Sequence, residues 1–307
     1  MQQKIGVIDL GSNTFNLLIA EKINNSLHRI FMDRIPVKLG SGSFQNKLIS
    51  AGAIQRALQA VVQFKQYTDK YDCSITYAFA TSAIRDAING KALKNSIENF
   101  GIKVEIIDGN KEAELIYWGA RASGVINELS LIMDIGGGST EFIIADNQRV
   151  YWKKSYQLGI TRLYDLFKPA DPMLPQQIYA IEKYITDNIS ELLDACKKFK
   201  PALLVGTAGS FETFADILAG QNEILFAKNI YYDNFNLNDL QNLLQQLIKS
   251  DVRYRNKLKG LPDFRRDLIV ISSCMLQLIV KLLNIQKISY TNFSLKEGAA
   301  LYLLGRL

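Results

Sequence analysis

A twelve-residue pattern occurs twice in this chain. DLGSNTFNLLIA (Asp9–Ala20) lies without gaps on DIGGGSTEFIIA (Asp134–Ala145), acid on acid and glycine on glycine, with four apolar or small residues closing each copy. The copies are 125 residues apart. Turn glycines recur by coincidence in many proteins, but the acid at the same place in both copies argues for duplication. Two copies are too few for a solenoid, so the simplest account is two similar domains. Each would open with a strand, a glycine loop and a second strand, and the boundary would fall near Ser123–Leu129.

The second loop has an unusual composition. A hairpin turn needs one or two residues with positive φ, whereas three successive glycines cost about 0.5–1 kcal/mol each relative to alanine. Bare backbone at Gly136, Gly137 and Gly138 lets consecutive N–H groups approach a ligand, and Ser139 and Thr140 add hydroxyls, a combination that suits phosphate oxygens. Gly11-Ser12-Asn13-Thr14 offers the same chemistry from the first copy. Asp9 and Asp134 beside such loops suggest a divalent cation, because carboxylate and phosphate oxygens are the hard ligands magnesium prefers. Acids that merely satisfy loop amides are the plainer alternative.

Hydrophobic period gives a mixed α/β order. IGVIDLG, FNLLIAE, LHRIFMDRIPVKL, ITYAFAT, KVEIID, LSLIMDIGG, EFIIADN, RVYWKKSYQLG and ALLVGTAGS read as strands. AGAIQRALQAVVQFKQYTDKY, GKALKNSIENFG, KEAELIYWGARAS, PQQIYAIEKYITDNISELLDACKKF, LNDLQNLLQQLIKS and RRDLIVISSCMLQLIVKLLN carry helical spacing.

With 307 residues and 48% apolar content, two cores of ordinary size are the better expectation. No stretch of about 18 apolar residues is present, and MQQKIGVIDLG lacks the succession of a secretory signal, which points to the cytoplasm and away from a membrane. Cys73, Cys196 and Cys274 have no metal or disulfide spacing and read as buried free thiols. The one histidine, His28, lies in a hairpin-like segment and makes a Ser/His/Asp triad a poor fit, leaving acid–base work to carboxylates. A net charge of +6 suggests an anionic partner without naming it. The basic run VRYRNKLKGLPDFRR (Val252–Arg266) fits a guide for a polyanion and a solvated surface equally well.

IGVIDLGSNTFNLLIAE together with LIMDIGGGSTEFII resembles the exopolyphosphatase and guanosine pentaphosphate phosphatase family, within the actin, sugar-kinase and Hsp70 ATPase superfamily. ATSAIRDA, IIDGNKEAELIY, LGITRLYDLF, LLVGTAGSFETFA, the Arg265–Asp267 stretch and SLKEGAALY follow in the family's order, so the resemblance covers nearly the whole chain. It implies an α/β fold of two ribonuclease H-like (actin-like ATPase) domains with mixed sheets, hinged about an interdomain cleft. The first domain would span residues 1–124 plus a C-terminal helix at about 296–307, and the second residues 125–295.

By position, the resemblance makes Glu112 the base on the attacking water, with Glu141 helping to hold that water. It makes Asp9 and Asp134 metal-associated acids. It makes Arg85 a phosphate contact together with Ser12, Asn13, Thr14, Gly136, Gly137, Gly138, Ser139, Gly209 and Ser210. The residues alone support part of this: Asp108-Gly109-Asn110 is a good N-cap cluster, which puts Glu112 in a helix's first turn. The implied activity is hydrolysis of a terminal phosphoanhydride of inorganic polyphosphate, with guanosine pentaphosphate (pppGpp) as the alternative substrate, magnesium or another divalent cation as cofactor, no nucleic acid as substrate, and a homodimer as a family-level expectation. An ATP-dependent small-molecule kinase and a phosphate sensor without turnover are the rival readings; a sensor would need no water-orienting acids. The chain departs from the family in lacking a helical His/Asp-rich extension, and in carrying Lys296 and Ser82 where arginine and asparagine are frequent.

Overall fold

The computed structural model describes residues 3–24, 26–220 and 231–305. The chain opens with an antiparallel meander of β1 (Ile5–Leu10), β2 (Thr14–Ile23) and β3 (Ser26–Pro36). A short helix α1 (Ser43–Asn46) precedes α2 (Ala51–Lys70), which starts where the Ser50 side chain accepts from Ala53 N and buries Ala53, Ala57, Ala60, Val61, Phe64 and Thr68 along one face. β4 (Ile75–Ala80) then runs parallel to β1. After α3 (Ser82–Arg85) and α4 (Gly90–Glu98), β5 (Lys103–Ile106) runs parallel to β4. The sheet order is β3-β2-β1-β4-β5. Helix α5 (Gly109–Ala122) follows, capped by the Asp108 carboxylate accepting from Lys111 N at 2.8 Å.

The pattern repeats with β6 (Ser130–Ile135), β7 (Thr140–Ala145) and β8 (Val150–Tyr156), again an antiparallel meander. Then come α6 (Ile160–Phe167), α7 (Pro175–Asn188), α8 (Ser190–Phe199), β9 (Leu203–Thr207) and α9 (Ala208–Ala219). Beyond residue 230 the chain adds β10 (Tyr232–Asn234), α10 (Leu237–Lys249), α11 (Val252–Arg255), α12 (Leu268–Leu282), β11 (Ile288–Thr291) and α13 (Leu295–Leu304). Strands β6, β9 and β11 are parallel, and the second sheet is ordered β10-β11-β9-β6-β7-β8. Two mixed-sheet α/β domains therefore share one plan, with β1, β2, β3 and β4 answered by β6, β7, β8 and β9.

Helices α5 and α13 lie between the two sheets. Their buried residues Ala113, Ile116, Ala120, Ala299 and Leu303 share one core with Ile5, Val7 and Leu18 of the first sheet and Ile132, Ile143 and Val205 of the second. Every residue of β6 and β7 is buried, because helices cover both faces of that sheet. The α5–α13 contact is backbone-close: a Cβ at Gly298 would fall 1.8 Å from Leu115 O, and one at Gly119 would fall 2.1 Å from Ser294 O. α13 starts with a capping box in which the Glu297 carboxylate accepts from Ser294 N at 2.8 Å. The helix expected at 296–307 thus covers Leu295–Leu304, and its last two positions lie outside the described residues.

Some expected boundaries differ. The single helix expected over Pro175–Phe199 is two, broken at Ile189. ITRLYDLF forms α6, and AGSFETFADILA forms α9 directly after β9. β11 has four residues, too short for its alternation to register in the sequence. His28 lies in the edge strand β3, beside Glu21 at 3.2 Å. Cys196 and Cys274 are buried and Cys73 half-buried, all as free thiols.

Candidate active site

The two repeated hairpins meet tip to tip. Pairing closes one at Leu10↔Phe15 and the other at Ile135↔Thr140, and one strand position further on Asp9 faces Asn16 while Asp134 faces Glu141. A Cβ at Gly137 would fall 2.8 Å from Ser12 Cβ, so the second glycine loop fits against the first only because it lacks a side chain there. Gly138 is equally confined, by Ser82 Oγ and the Phe44 ring. Close approach of the domains is thus one physical reason for the glycine run.

Each loop is held from behind by the segment that follows its meander. Gly40 N donates to Ser12 O at 2.7 Å, and Val37 N and Lys38 N donate to Asn13 O at 2.9 Å. In the second domain, Ile160 N donates to Gly136 O at 3.0 Å and Thr161 N to Gly137 O at 2.8 Å. In a trans peptide the carbonyl and the N–H of one unit point in opposite directions. Turning those carbonyls outward therefore turns the N–H groups of Asn13, Thr14, Gly137 and Gly138 away from the supporting segments. Both supporting segments contain a Leu-Gly pair, Leu39-Gly40 and Leu158-Gly159, although in the second domain the donors are the two residues that follow it.

Between the loops is a cavity of about 100 Å³, lined among others by Asp9, Ser12, Asn13, Thr14, Glu112, Asp134, Gly136, Gly137, Ser139 and Gly209. Ten of the expected site residues thus come together. Arg85, Gly138, Glu141 and Ser210 stand behind that lining. Ser210 Oγ lies 3.2 Å from Ser272 Oγ in the α9–α12 contact. The Arg85 guanidinium donates through Nη1 to Glu112 Oε2 at 3.0 Å and to Ile107 O at 2.9 Å. Glu141 accepts from Ser155 Oγ at 2.6 Å, and Asp134 accepts from Thr207 Oγ1 at 2.7 Å, each donor standing on the neighbouring strand. Asp9 accepts from Asn16 Nδ2 at 3.2 Å.

Burial governs the electrostatics. It is the first cause that pushes Asp9 up to about 7, against the pull of Lys296 and with added repulsion from Asp134. Burial likewise raises Asp134 to about 6, opposed by the Thr207 hydrogen bond and Lys296. It raises Glu141 to about 7, with repulsion from Asp134 next. Glu112 is raised well above the usual carboxylate range by burial and then by Glu141, with Arg85 pulling it down. Glu212 differs: burial opposes its ionisation, but Arg34, Lys296 and Arg265 together hold it below its ordinary value.

Burial disfavours the ionised form of each of these acids, a cost that a divalent cation would relieve. No group of three or more His, Cys, Asp or Glu forms a metal cluster among the described residues. Asp9 and Asp134 both line the cavity, and two carboxylates suit a hard cation that would take waters or substrate oxygens as its other ligands.

Sequence reasoning left several cavity residues without a role. Arg34, Glu212, Arg265 and Lys296 also line the cavity, with Arg34 Nη2 at 2.6 Å from Glu212 Oε2. Arg265 packs its guanidinium on Gly209, where a Cβ would fall 1.7 Å from Nη2; burial and the nearby Arg34 lower it to about 10. The basic run Val252–Arg266 thus splits, because Arg265 faces the cavity while the buried Arg255 bonds Ser250 O at 2.7 Å and Asp171 at 2.8 Å. Glu212 in FETF and Arg34, one of two arginines in β3, were the available signals, and both look like surface chemistry in sequence.

Two similar mixed-sheet domains that bring a hairpin loop each to a carboxylate-lined cavity define an actin-like ATPase fold built for phosphate chemistry. Within that fold the chain belongs to the Ppx/GppA phosphatase family, whose sequence profile matches residues 18–307. It is similar to the crystal structure of an exopolyphosphatase from Cytophaga hutchinsonii, with a TM-score of 0.94 and 33% identity over 99% of each chain. It is also 28% identical to a guanosine-5'-triphosphate,3'-diphosphate pyrophosphatase from Pseudoalteromonas translucida, over 98% of this chain and 59% of that protein. The chain therefore spans little more than half the length of that relative. An Aquifex aeolicus Ppx/GppA family member shares the fold, with a TM-score of 0.81 at 19% identity over 100% of this chain and 99% of that one. No helix among the described residues is long and apolar enough to cross a membrane.

Proposed function

We propose that this phosphoanhydride hydrolase removes terminal orthophosphate from inorganic polyphosphate. The observation that carries the reading is the pair of facing loops, one from each domain, whose backbone N–H groups are turned away from their supports beside a cavity lined by buried acids. In this reading Ser12, Asn13, Thr14, Gly136, Gly137, Gly138 and Ser139 cradle the terminal phosphoryl group. Gly209 lets Arg265 reach the cavity, and Ser210 anchors the start of α9 to α12.

Glu112 takes a proton from water, the water oxygen bonds to the terminal phosphorus, and the bridging P–O bond breaks with its electron pair leaving on the shortened chain. A raised carboxylate pKa makes Glu112 a stronger base near neutral pH. Arg85 fixes it, and Glu141 helps to orient the water. Asp9 and Asp134 would hold magnesium, which when bound supplies charge neutralisation at the phosphoryl oxygens.

The same reading divides the chain into residues 1–124 with the helix near 296–307, and residues 125–295, and puts the enzyme in the cytoplasm. Release of the 5'-terminal phosphate of pppGpp is the second reading, favoured by the Pseudoalteromonas relative. The test is orthophosphate release with magnesium from long-chain polyphosphate and, in parallel, from pppGpp, by wild type and Glu112→Gln. Release from polyphosphate by wild type, with at least about 100-fold less by the variant, supports the proposal. Release from pppGpp alone moves the assignment to the second reading, and release from neither overturns both.

A further inference from the structure

Gly138 supplies the third carbonyl of the glycine run, and its partner is a side chain. Arg162, in the first turn of α6, donates through Nε to Gly138 O at 2.8 Å. The peptide that joins Gly138 to Ser139 is thereby turned like the two before it, with the Ser139 N–H pointing away from α6, and Ser139 lines the cavity. The same guanidinium donates through Nη2 to Asp86 Oδ2 at 2.6 Å, and its Cζ lies 4.2 Å from the Phe44 ring centroid. Asp86 in turn stands 3.5 Å from Arg85 Nε, and Arg85 holds Glu112. One side chain of the second domain thus touches the glycine loop of its own domain and, through Asp86 and Arg85, the support of the acid on the opposite domain.

We propose that Arg162 is a positioning residue that sets the glycine loop and Glu112 at a fixed separation. It does not line the cavity and acts only through the groups it holds. The inference rests on the reading that this loop binds the terminal phosphoryl group. An arginine fork can serve Gly138 O and Asp86 together in one plane, whereas an ammonium is a single point that reaches one of them.

The test uses the full chain as wild type, Arg162→Ala, Arg162→Lys and Asp86→Asn, assayed for orthophosphate release from polyphosphate with magnesium. Each is also assayed for the rise in melting temperature that inorganic phosphate produces. Arg162→Ala is expected to lower kcat on the order of 100-fold, the scale of a small misplacement, while KM moves less than about tenfold. Added guanidinium at millimolar concentration is expected to restore part of that rate, which a merely structural loss would not allow. Arg162→Lys should stay well below wild type, and Asp86→Asn should lower kcat in the same direction; these two carry the test if Arg162→Ala does not fold. The inference is overturned if Arg162→Lys matches wild type, or if kcat per folded molecule of Arg162→Ala is unchanged. If wild type hydrolyses neither polyphosphate nor pppGpp, the functional reading fails separately and the phosphate arm decides: a melting shift lost in Arg162→Ala sustains the positioning role, and a shift retained overturns it.

Discussion

Arg85 holds the Glu112 carboxylate at 3.0 Å while its other contacts, Ile107 O and Asp86, fix the guanidinium at the start of α5. Burial raises the Glu112 pKa and Arg85 lowers it. Removing the cation in Arg85→Ala therefore raises Glu112 further, and less of it is ionised at pH 7. The acid limb of the kcat/KM profile should move to higher pH in Arg85→Ala, whereas Glu112→Gln should lose that limb together with at least about 100-fold in rate. Rate profiles from pH 5 to 9 check both.

The metal-free protein should become less stable as pH rises. Asp9, Asp134 and Glu141 have folded pKa values of about 7, 6 and 7, against ordinary values of 3.8, 3.8 and 4.5. The folded state therefore binds more protons than the unfolded one between about pH 4 and 7, and stability falls as pH increases through that window. In EDTA, the melting temperature should drop from pH 5 to pH 8. Magnesium should restore much of the loss at pH 8 and have little effect at pH 5, where protons already neutralise the acids. A melting temperature independent of pH would contradict the charge balance described for the cavity.

Glycine substitutions should separate crowding from turn chemistry. A Cβ at Gly159 would lie 2.3 Å from Gly137 O and from Gly138 N, backbone atoms of the loop that cannot shift cheaply. Gly159→Ala should cost about 1–3 kcal/mol and reduce activity by displacing the loop. Gly42 has open space but a φ of +69°, so Gly42→Ala should cost at most about 1–2 kcal/mol and leave the rate near wild type. Denaturant unfolding beside initial rates distinguishes the two.

Thr161 Oγ1 is buried without a hydrogen-bond partner, and its hydroxyl lies 3.1 Å from where a Gly137 Cβ would be. Leaving a buried hydroxyl unsatisfied is unfavourable by about 1–3 kcal/mol, so Thr161→Val should raise the melting temperature. Because Thr161 N holds Gly137 O at 2.8 Å, a side chain changed at this position is expected also to lower kcat/KM. Unfolding and steady-state rates measured on one preparation check the opposed signs.

The elements legible in the sequence were those encoded locally. Short apolar runs and the acid–glycine repeat located β1, β2, β6 and β7 and hence the two loops, and the Asp108 cluster located the start of α5. Helix α6 was missed although Ile160, Leu163, Tyr164 and Phe167 have helical spacing, because a strand reading carried through the preceding Leu158-Gly159. A Leu-Gly pair in each supporting segment was present in the sequence, but which carbonyls those segments meet is decided only by the fold. Arg162 lies in LGITRLYDLF, one of the segments of the resemblance, but its contacts were not legible: Gly138 and Asp86 are 24 and 76 positions away. The inter-domain pair Arg34–Glu212 is 178 positions apart and was hidden for the same reason.

The close seat of α13 on α5 also has a consequence for how the protein is made. A ribosome completes the helix that carries Glu112 long before it reaches Gly298, whose missing side chain lets the partner helix settle against Leu115. Until then α5 has one apolar flank uncovered, and the first sheet lacks the layer that joins it to the second. A chain released before that point would keep this apolar flank exposed, and we expect such a fragment to associate through it and to show no hydrolysis.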